Sequence, residues 1–579
     1  MCGIAGVIGE ADEAEARTLI QPLAHRGPDG TRVEALAHAA LAHARLSIID
    51  LEHGWQPLHA AGSTVVGNGE IYNYLELIDQ FQLKGRLATG SDFEPLLHIY
   101  AQEGEAAFDR LRGMYAFCLV GRDGRTWLVR DRFGIKPLYL RHDQGRILFA
   151  SEPRSLLAGH GPPRLEAEAV EDLLSLNYTL SGREETSPTI FQGVSRLAPG
   201  AALLASGGRL SAPAAQTLPR PEDLKRDPEF AVARLDRILE DSVRVHQRSD
   251  VPYGLFLSGG IDSSAIATLM ARLNARPVTA FTCGFEAPNA RDERAAAERV
   301  ARALDLDWRE TSFDEADFWR IAPLAAEALD DPTTDYAALP TYRLAEAAKG
   351  TLTVVLTGEG GDELFAGYGR YRRALRPAWL GGRPAEPQVD APFLKAGDGA
   401  QKALDRWRRC TDAPAVESRV VRAQLADLAA WLPNDLLLKL DRCLMAHGLE
   451  GRTPFLDPAV AAFALALPDR FKVWEGYGKW LLRRWLQKHC PAAEPWARKQ
   501  GFTVPVADWI GPRAADLGPR VAGVEGIAEA CDLDAVRVVF TDERQARHRW
   551  RLLFYALWWS IHVGGASAAE AGEAVLGRP

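Results

Sequence analysis

The stretch Val251 to Ala265, VPYGLFLSGGIDSSA, decides how the rest of the chain is read. Its apolar run Tyr253 to Leu257 is short and suited to a strand. It breaks at Ser258-Gly259-Gly260, and a helix-compatible run follows from Ala265 to Leu273. Two adjacent glycines let the backbone approach a ligand closely. The free N–H groups of a starting helix favour an anion, so a polyphosphate is the natural guest. Ser258, Ser263 and Ser264 can add donors, and Asp262 can hold a cation. No lysine of the Walker type is present, so backbone, hydroxyls and metal would carry the phosphate instead. For SGG alone, a serine-capped helix after an ordinary glycine turn would read the same way. The whole string SGGIDSS behind a buried strand is more specific.

Composition narrows the setting. With 579 residues the chain is long enough for more than one domain. Its 47% apolar and 25% charged residues are those of an ordinary soluble protein. The net charge is −9 with lysine and arginine dispersed, which disfavours a nucleic-acid partner. No apolar run reaches the roughly 20 residues of a membrane span, and the N-terminus does not read as a signal peptide. A cytoplasmic location is the expectation. The seven cysteines are scattered with no CxxC pair, so six of them are expected as small buried hydrophobes. His38, His43, His53 and His59 fit no common metal-ligand spacing.

Cys2 is the exception, because it stands second in the chain, before the strand-like run Gly3 to Ile8. If Met1 is removed, the thiol's own α-amine, titrating near pH ~7.7–8.0, can serve as its base. Downstream come RGPDG (26–30), RLSIID (45–50), NGEIYN (68–73) and Ser91-Asp92. Singly, these read as turns. Together behind Cys2 they resemble the class II glutamine amidotransferases. The resemblance implies an Ntn-type αββα glutaminase sandwich with Cys2 as nucleophile. Arg45 would take the α-carboxylate of glutamine, and Glu70 and Asp92 its ammonium. The Asn68 amide and the Gly69 N–H would stabilise the oxyanion, a kind of donor worth about 2.7–4 kcal/mol. DRFGIKPLY (131–139) and FASE (149–152) match the same family.

Near Gly200 the pattern decays into ASGGRLSAPAAQTLPRPEDLKRDPE. The domains expected are therefore 1–205, a linker at 206–228, and 229–579, the last starting with an amphipathic helix over 229–245. After the SGGIDSS loop, a strand over 277–285, a helix over 292–304 and a third strand over 352–356 alternate, which argues for a parallel sheet with its ligands at the strands' carboxyl ends. The third strand runs into TGEGGDELFAGY (357–368), again a glycine turn followed by acids. Asp262 and Asp362 are the candidate ligands for Mg²⁺ on ATP.

SGGIDSS resembles the pyrophosphate loop of ATP pyrophosphatases, and with the second turn it is similar to the asparagine synthetases. That resemblance covers residues 1 to about 560. It implies an α/β pyrophosphatase domain of the adenine nucleotide α-hydrolase type, with glutamine, aspartate and ATP as small-molecule partners. Leu257, Ser258, Gly259, Gly260, Asp262, Ser263, Ser264, Cys283, Thr357 and Gly358 would bind ATP. Glu359, Tyr368 and Arg452 would lie at the aspartyl-adenylate, and Lys499 would offset charge on pyrophosphate. A homodimer is compatible with the resemblance. Relatives that activate another carboxylate, such as β-lactam synthetases and lasso-peptide cyclases, and a catalytically silent scaffold are the competing readings. The stretch 375–402 carries no motif and reads as a surface loop, and the tail after Ser567 as frayed.

Overall fold

The computed structural model describes residues 2–182, 184–219, 227–286, 292–413, 416–497 and 504–577. Two antiparallel sheets build the N-terminal half. One runs Thr186–Pro188, Val194–Leu197, Tyr139–Asp143, Arg146–Ala150, Gly3–Ile8, Ala39–Arg45 and Gly30–Leu36. The other runs Arg209–Ala215, Ala201–Ser206, Thr126–Arg130, Gly113–Val120, Ser63–Ile71 and Leu58–Ala60. Side-chain alternation along Gly3–Ile8 explains the layering. Ile4 and Ile8 pack between the sheets with Leu41, Val66, Cys118, Leu128 and Phe149. Ala5 and Val7 face the other way, onto the helix Glu13–Ile20 through Ala16, Leu19 and Ile20. The helix Glu94–Glu103 covers the outer face of the second sheet, where Leu96, Leu97 and Ile99 meet Phe117 and Trp127. The result is an αββα sandwich. Its central strand is buried on both faces, which is why GIAGVI shows no polar alternation.

Arg209–Ala215 is the edge strand of this second sheet, paired with Ala201–Ser206. The stretch expected as linker from 206 therefore contributes a strand, which composition alone reads as loop.

The second half holds a five-stranded parallel sheet in the order Asp307–Phe313, Thr279–Phe285, Tyr253–Phe256, Val354–Leu356, Glu450–Arg452. The first strand in sequence is thus central, and the chain leaves it first to one side and then to the other. That reversal opens a crevice at the carboxyl ends of Tyr253–Phe256 and Val354–Leu356, where ligands settle in folds of this kind. The helix Pro228–His246 is capped by Asp227 and buries Val232, Leu235, Leu239 and Val243 behind the sheet.

Two sequence expectations need correcting. The tail forms the helix Ala568–Leu576, started by a Ser567–Glu570 capping box and anchored by Ala571 and Val575 in the core. Its small residues are what let it pack closely. In 375–402, Phe393 is fully buried and Leu394 bridges to Cys531, so part of this stretch is core.

Buried charges join the two halves. Arg26, fully buried, donates to Glu152 Oε1 at 2.7 Å and to both oxygens of Asp441 at 2.8 and 3.1 Å. Arg442 in turn donates to Asp330 at 2.8 Å and Asp441 at 2.9 Å. Arg112 reaches Asp457, and Arg248 reaches Glu76.

Candidate functional site

Cys2 precedes the central strand of the sandwich. Its backbone nitrogen donates to Asn68 Oδ1 at 3.3 Å, and its Sγ lies 3.7 Å from the Leu46 carbonyl. Burial pushes the thiol up. Asn68 is fully buried, and its Nδ2 has no hydrogen-bond partner among the described residues. A desolvated donor without an acceptor is costly unless a ligand satisfies it, as an oxyanion would. Gly69 has φ +132°, and a Cβ there would stand 2.0 Å from the Met114 carbonyl oxygen. Only glycine fits, and the ladder with Gly113–Val120 fixes the direction of its N–H.

Arg45 ends the strand beside Gly3–Ile8. Its guanidinium donates to the Asp50 carbonyl at 2.6 Å and the Leu51 carbonyl at 3.2 Å, and lies 4.7 Å over the Trp55 ring. Trp55 went unread in the sequence because one aromatic in a loop carries no pattern. Glu70 and Asp92 are both buried. Burial raises the Asp92 carboxyl to about 7, although its Oδ2 accepts the Ile71 N–H at 2.7 Å. Burial, reinforced by Asp92, lifts Glu70 well above the usual range. The structure thus gathers Arg45, Asn68, Gly69, Glu70 and Asp92 in the neighbourhood of Cys2.

At the crevice of the parallel sheet, Gly259 has φ +68°, and a Cβ would meet Ala297 N at 2.7 Å. Ser258 and Ser263 bond to each other through their Oγ atoms at 3.0 Å, and Ser258 Oγ accepts the Gly260 N–H at 3.2 Å. These bonds hold the loop open ahead of the helix Ile261–Leu273. Ser264 is fully buried, and its Oγ has no hydrogen-bond partner among the described residues. The second turn packs directly on the first, since a Cβ on Gly358 would stand 2.8 Å from Asp262 Cβ. Leu257 and Cys283 lie on adjacent strands; the Leu257 N–H bonds the Phe281 carbonyl at 2.9 Å, and burial pushes the Cys283 thiol up to about 12.

Asp262 and Asp362 converge on Lys479, whose Nζ contacts Asp262 Oδ2 and lies 2.7 Å from Asp362 Oδ1. Lys479 was not anticipated. It follows a two-stranded turn, Val473–Trp474 with Tyr477–Gly478, and has φ +56° just before the helix Trp480–His489. In sequence it is an ordinary lysine, because only the fold places it between the two carboxylates. Hard oxygen donors on both sides of one crevice suit Mg²⁺, which takes one or two carboxylates and leaves its other positions to phosphate and water. Among the described residues no group of three or more His, Cys, Asp or Glu side chains is arranged to hold a metal ion.

Glu359 is raised by burial, with the Lys439 ammonium pulling against it. Tyr368 donates to Glu363 Oε1 at 2.5 Å, and burial together with Asp362 takes Glu363 to about 8. Arg452 is not brought to this group. On the strand Glu450–Arg452 it shares its face with Glu450, toward the other half, and its guanidinium donates to Glu450 and to the His246 and Arg248 carbonyls. The sequence places its backbone correctly, since the Thr357 N–H bonds its carbonyl at 2.8 Å, but strand alternation sends the side chain away. Lys499 lies outside the described residues. A separate cavity of about 700 Å³, lined by Arg383, Trp407, Arg408, Arg419 and Arg422, contains none of the expected site residues.

The asparagine synthase family model matches residues 234–561, and a glutamine amidotransferase domain model matches residues 1–214. The chain belongs to the asparagine synthase family. The glutamine-hydrolyzing asparagine synthetase 1 of Bacillus subtilis is 31% identical, with 97% of each chain covered. Asparagine synthetase B of Escherichia coli is 29% identical over 88% of this chain and 83% of its own. Amidase chyE of Penicillium rubens is 32% identical over 70% of this chain and 63% of its own. As an asparagine synthase family enzyme, the chain joins a glutamine amidotransferase domain, folded as the αββα sandwich, to a parallel-sheet synthase domain, and the amidotransferase match ends within the strand Arg209–Ala215. No helix among the described residues is long and apolar enough to cross a membrane.

Proposed function

We propose that this enzyme makes asparagine from aspartate, with glutamine as nitrogen donor and ATP as energy source. The observation that carries the proposal is the convergence of Asp262 and Asp362 at the crevice of the parallel sheet, in a chain of this family whose other half presents Cys2 against Asn68.

In the first half-reaction, Arg45 fixes the glutamine α-carboxylate while Glu70 and Asp92 receive the ammonium. The Cys2 thiol loses its proton to its own α-amine, Met1 having been removed, and attacks the side-chain amide. The oxyanion falls to Asn68 Nδ2 and the Gly69 N–H, and collapse expels ammonia and leaves a thioester that water hydrolyses to glutamate. In the second, the glycine turns and Ser258 and Ser263 cradle the phosphates of ATP, with Leu257, Cys283, Thr357 and Gly358 around adenosine. The β-carboxylate of aspartate, near Glu359 and Tyr368, attacks the α-phosphorus, releasing pyrophosphate. Ammonia then displaces AMP from the acyl-adenylate. Asp262 and Asp362 would hold Mg²⁺, which neutralises phosphate charge when bound. Ammonia in bulk water would be protonated, so an internal passage between the two sites belongs to the proposal.

A second reading rests on the similarity to a relative named amidase chyE: the same machinery amidates a different carboxylate. One experiment separates them. The enzyme is given ATP, amide-¹⁵N-glutamine and a panel of carboxylic acids, and AMP and labelled products are identified. Aspartate should give AMP and ¹⁵N-asparagine. If aspartate gives no AMP and another acid does, the acceptor assignment falls.

A further inference from the structure

Arg452 is a buried arginine that the two half-reactions leave unused. We infer that it is a positioning residue for the other half of the molecule, holding Glu70 for the α-ammonium group of glutamine. The inference rests on the reading of Glu70 given above.

The guanidinium is pinned on three sides. Nε donates to Glu450 Oε1 at 2.6 Å, and Nη1 donates to the His246 and Arg248 carbonyls at 2.9 and 2.7 Å. Its face lies 5.5 Å from the centre of the Tyr72 ring, which rests against His246 at 4.1 Å. Arg452 has no exposure to solvent. The remaining nitrogen, Nη2, makes no hydrogen bond among the described residues and stands 3.6 Å from Glu70 Oε1. A guanidinium is a rigid fork, so fixing two of its nitrogens aims the third. Here it is aimed at the carboxylate predicted to bind the ammonium group.

The charges around Glu70 explain why such a partner is needed. Asp92 and Glu450 face it and oppose its ionised form, whereas Arg452 favours it. Cys2 and Tyr72 also lie close enough to sense it. A protonated Glu70 cannot pair with an ammonium ion. Arg452 therefore favours the carboxylate form of Glu70 against its acidic neighbours and holds a fixed positive charge beside its Oε1. A side chain from the synthase sheet thus completes a site built on the amidotransferase sandwich.

A purely structural role for Arg452, tying the helix Pro228–His246 to the sheet, would impair every substrate alike. The test uses glutaramate, which is glutamine without its α-ammonium group, beside glutamine in a hydrolysis assay. Arg452→Met should shrink the preference for glutamine over glutaramate at least 10-fold, through KM for glutamine rather than kcat, and should move the acidic rise in that KM to higher pH. Glu70→Gln should shrink the preference likewise, and adding Arg452→Met to it should change the preference no further. Parallel losses for both substrates, or an unchanged preference, would overturn the inference. If Glu70→Gln itself leaves the preference intact, the ammonium assignment fails instead. Should Arg452→Met not fold, Arg452→Lys keeps the charge but loses the fork. With unchanged circular dichroism, a preference reduced at least 3-fold supports the role, and an unreduced one refutes it.

Discussion

The glutamine pocket and the nucleotide crevice solve opposite problems. In the first, each working group is a side chain or N–H borne on or beside a strand of the sandwich, and the ladder of neighbouring strands sets its direction. Its acids are buried and pushed upward, Asp92 to about 7, so protonation of Asp92 can switch near neutral pH. In the second, the work falls to turns between strand and helix, with two carboxylates gathered on one lysine. A small amino acid must be discriminated at both ends, which asks for rigid, desolvated partners. A polyphosphate carries several charges on a flexible chain, which asks for many backbone donors and a counter-charge that can be rearranged.

The largest effect expected from breaking this contrast is in Cys2→Ala. Glutamine-dependent synthesis should fall to background, while synthesis from added ammonia persists; assays with the two nitrogen sources side by side decide it, and retained glutamine use would remove Cys2 as nucleophile. Lys479→Met should act on the other site, lowering AMP formation about 10²–10³-fold whichever nitrogen source is given, the range typical for removing one preorganised charge or donor. If the loss appears with glutamine but not with ammonia, the two regions are not separable as drawn.

The smallest effect sharpens the contrast through pH. Asp92, raised to about 7 by burial, is ionised above that value and protonated below it. Glutamine's ammonium needs the ionised form, so KM for glutamine should rise as pH falls below about 7, by up to ~10-fold per unit for one proton. The limb belongs to the Glu70–Asp92 pair rather than to either residue alone. Asp92→Asn should raise KM and flatten the limb, while the pH dependence of KM for ATP stays as it was. Steady-state KM values over pH 5.5–8.5 would show this.

How far the sequence could be read follows the same division. The first loop is contiguous, so SGGIDSS and TGEGGDE announced both glycine turns, the acids that follow them and the parallel sheet around them. The N-terminal motifs are scattered over ninety residues, yet each keeps its own turn or strand signature, and the fold sets Cys2 beside Asn68. What escaped depends on tertiary placement. Lys479 is an isolated lysine after a short hairpin, and nothing local marks it as the partner of residues more than a hundred positions away. Arg452 was expected at the aspartyl-adenylate, but it lies on a strand whose alternation turns its side chain toward the other half, and a strand's two faces are told apart only by what covers each. The helix Ala568–Leu576 was missed for a related reason: small residues read as disorder in isolation and as close packing once a groove exists to receive them.

The charges joining the two halves have a consequence for how the molecule is assembled. Arg26, Glu152, Asp330, Asp441 and Arg442 alternate in sign within a nearly dry seam. Such a seam adds little net adhesion, because hydration lost roughly offsets the attraction gained, but it is intolerant of misregistration. A slip of one residue along the seam would strand a charge without its counterpart, at about 3–5 kcal/mol. The seam is therefore an alignment key: among many ways of pressing two apolar faces together, it admits the single docking in which Arg26 of one half meets Asp441 of the other.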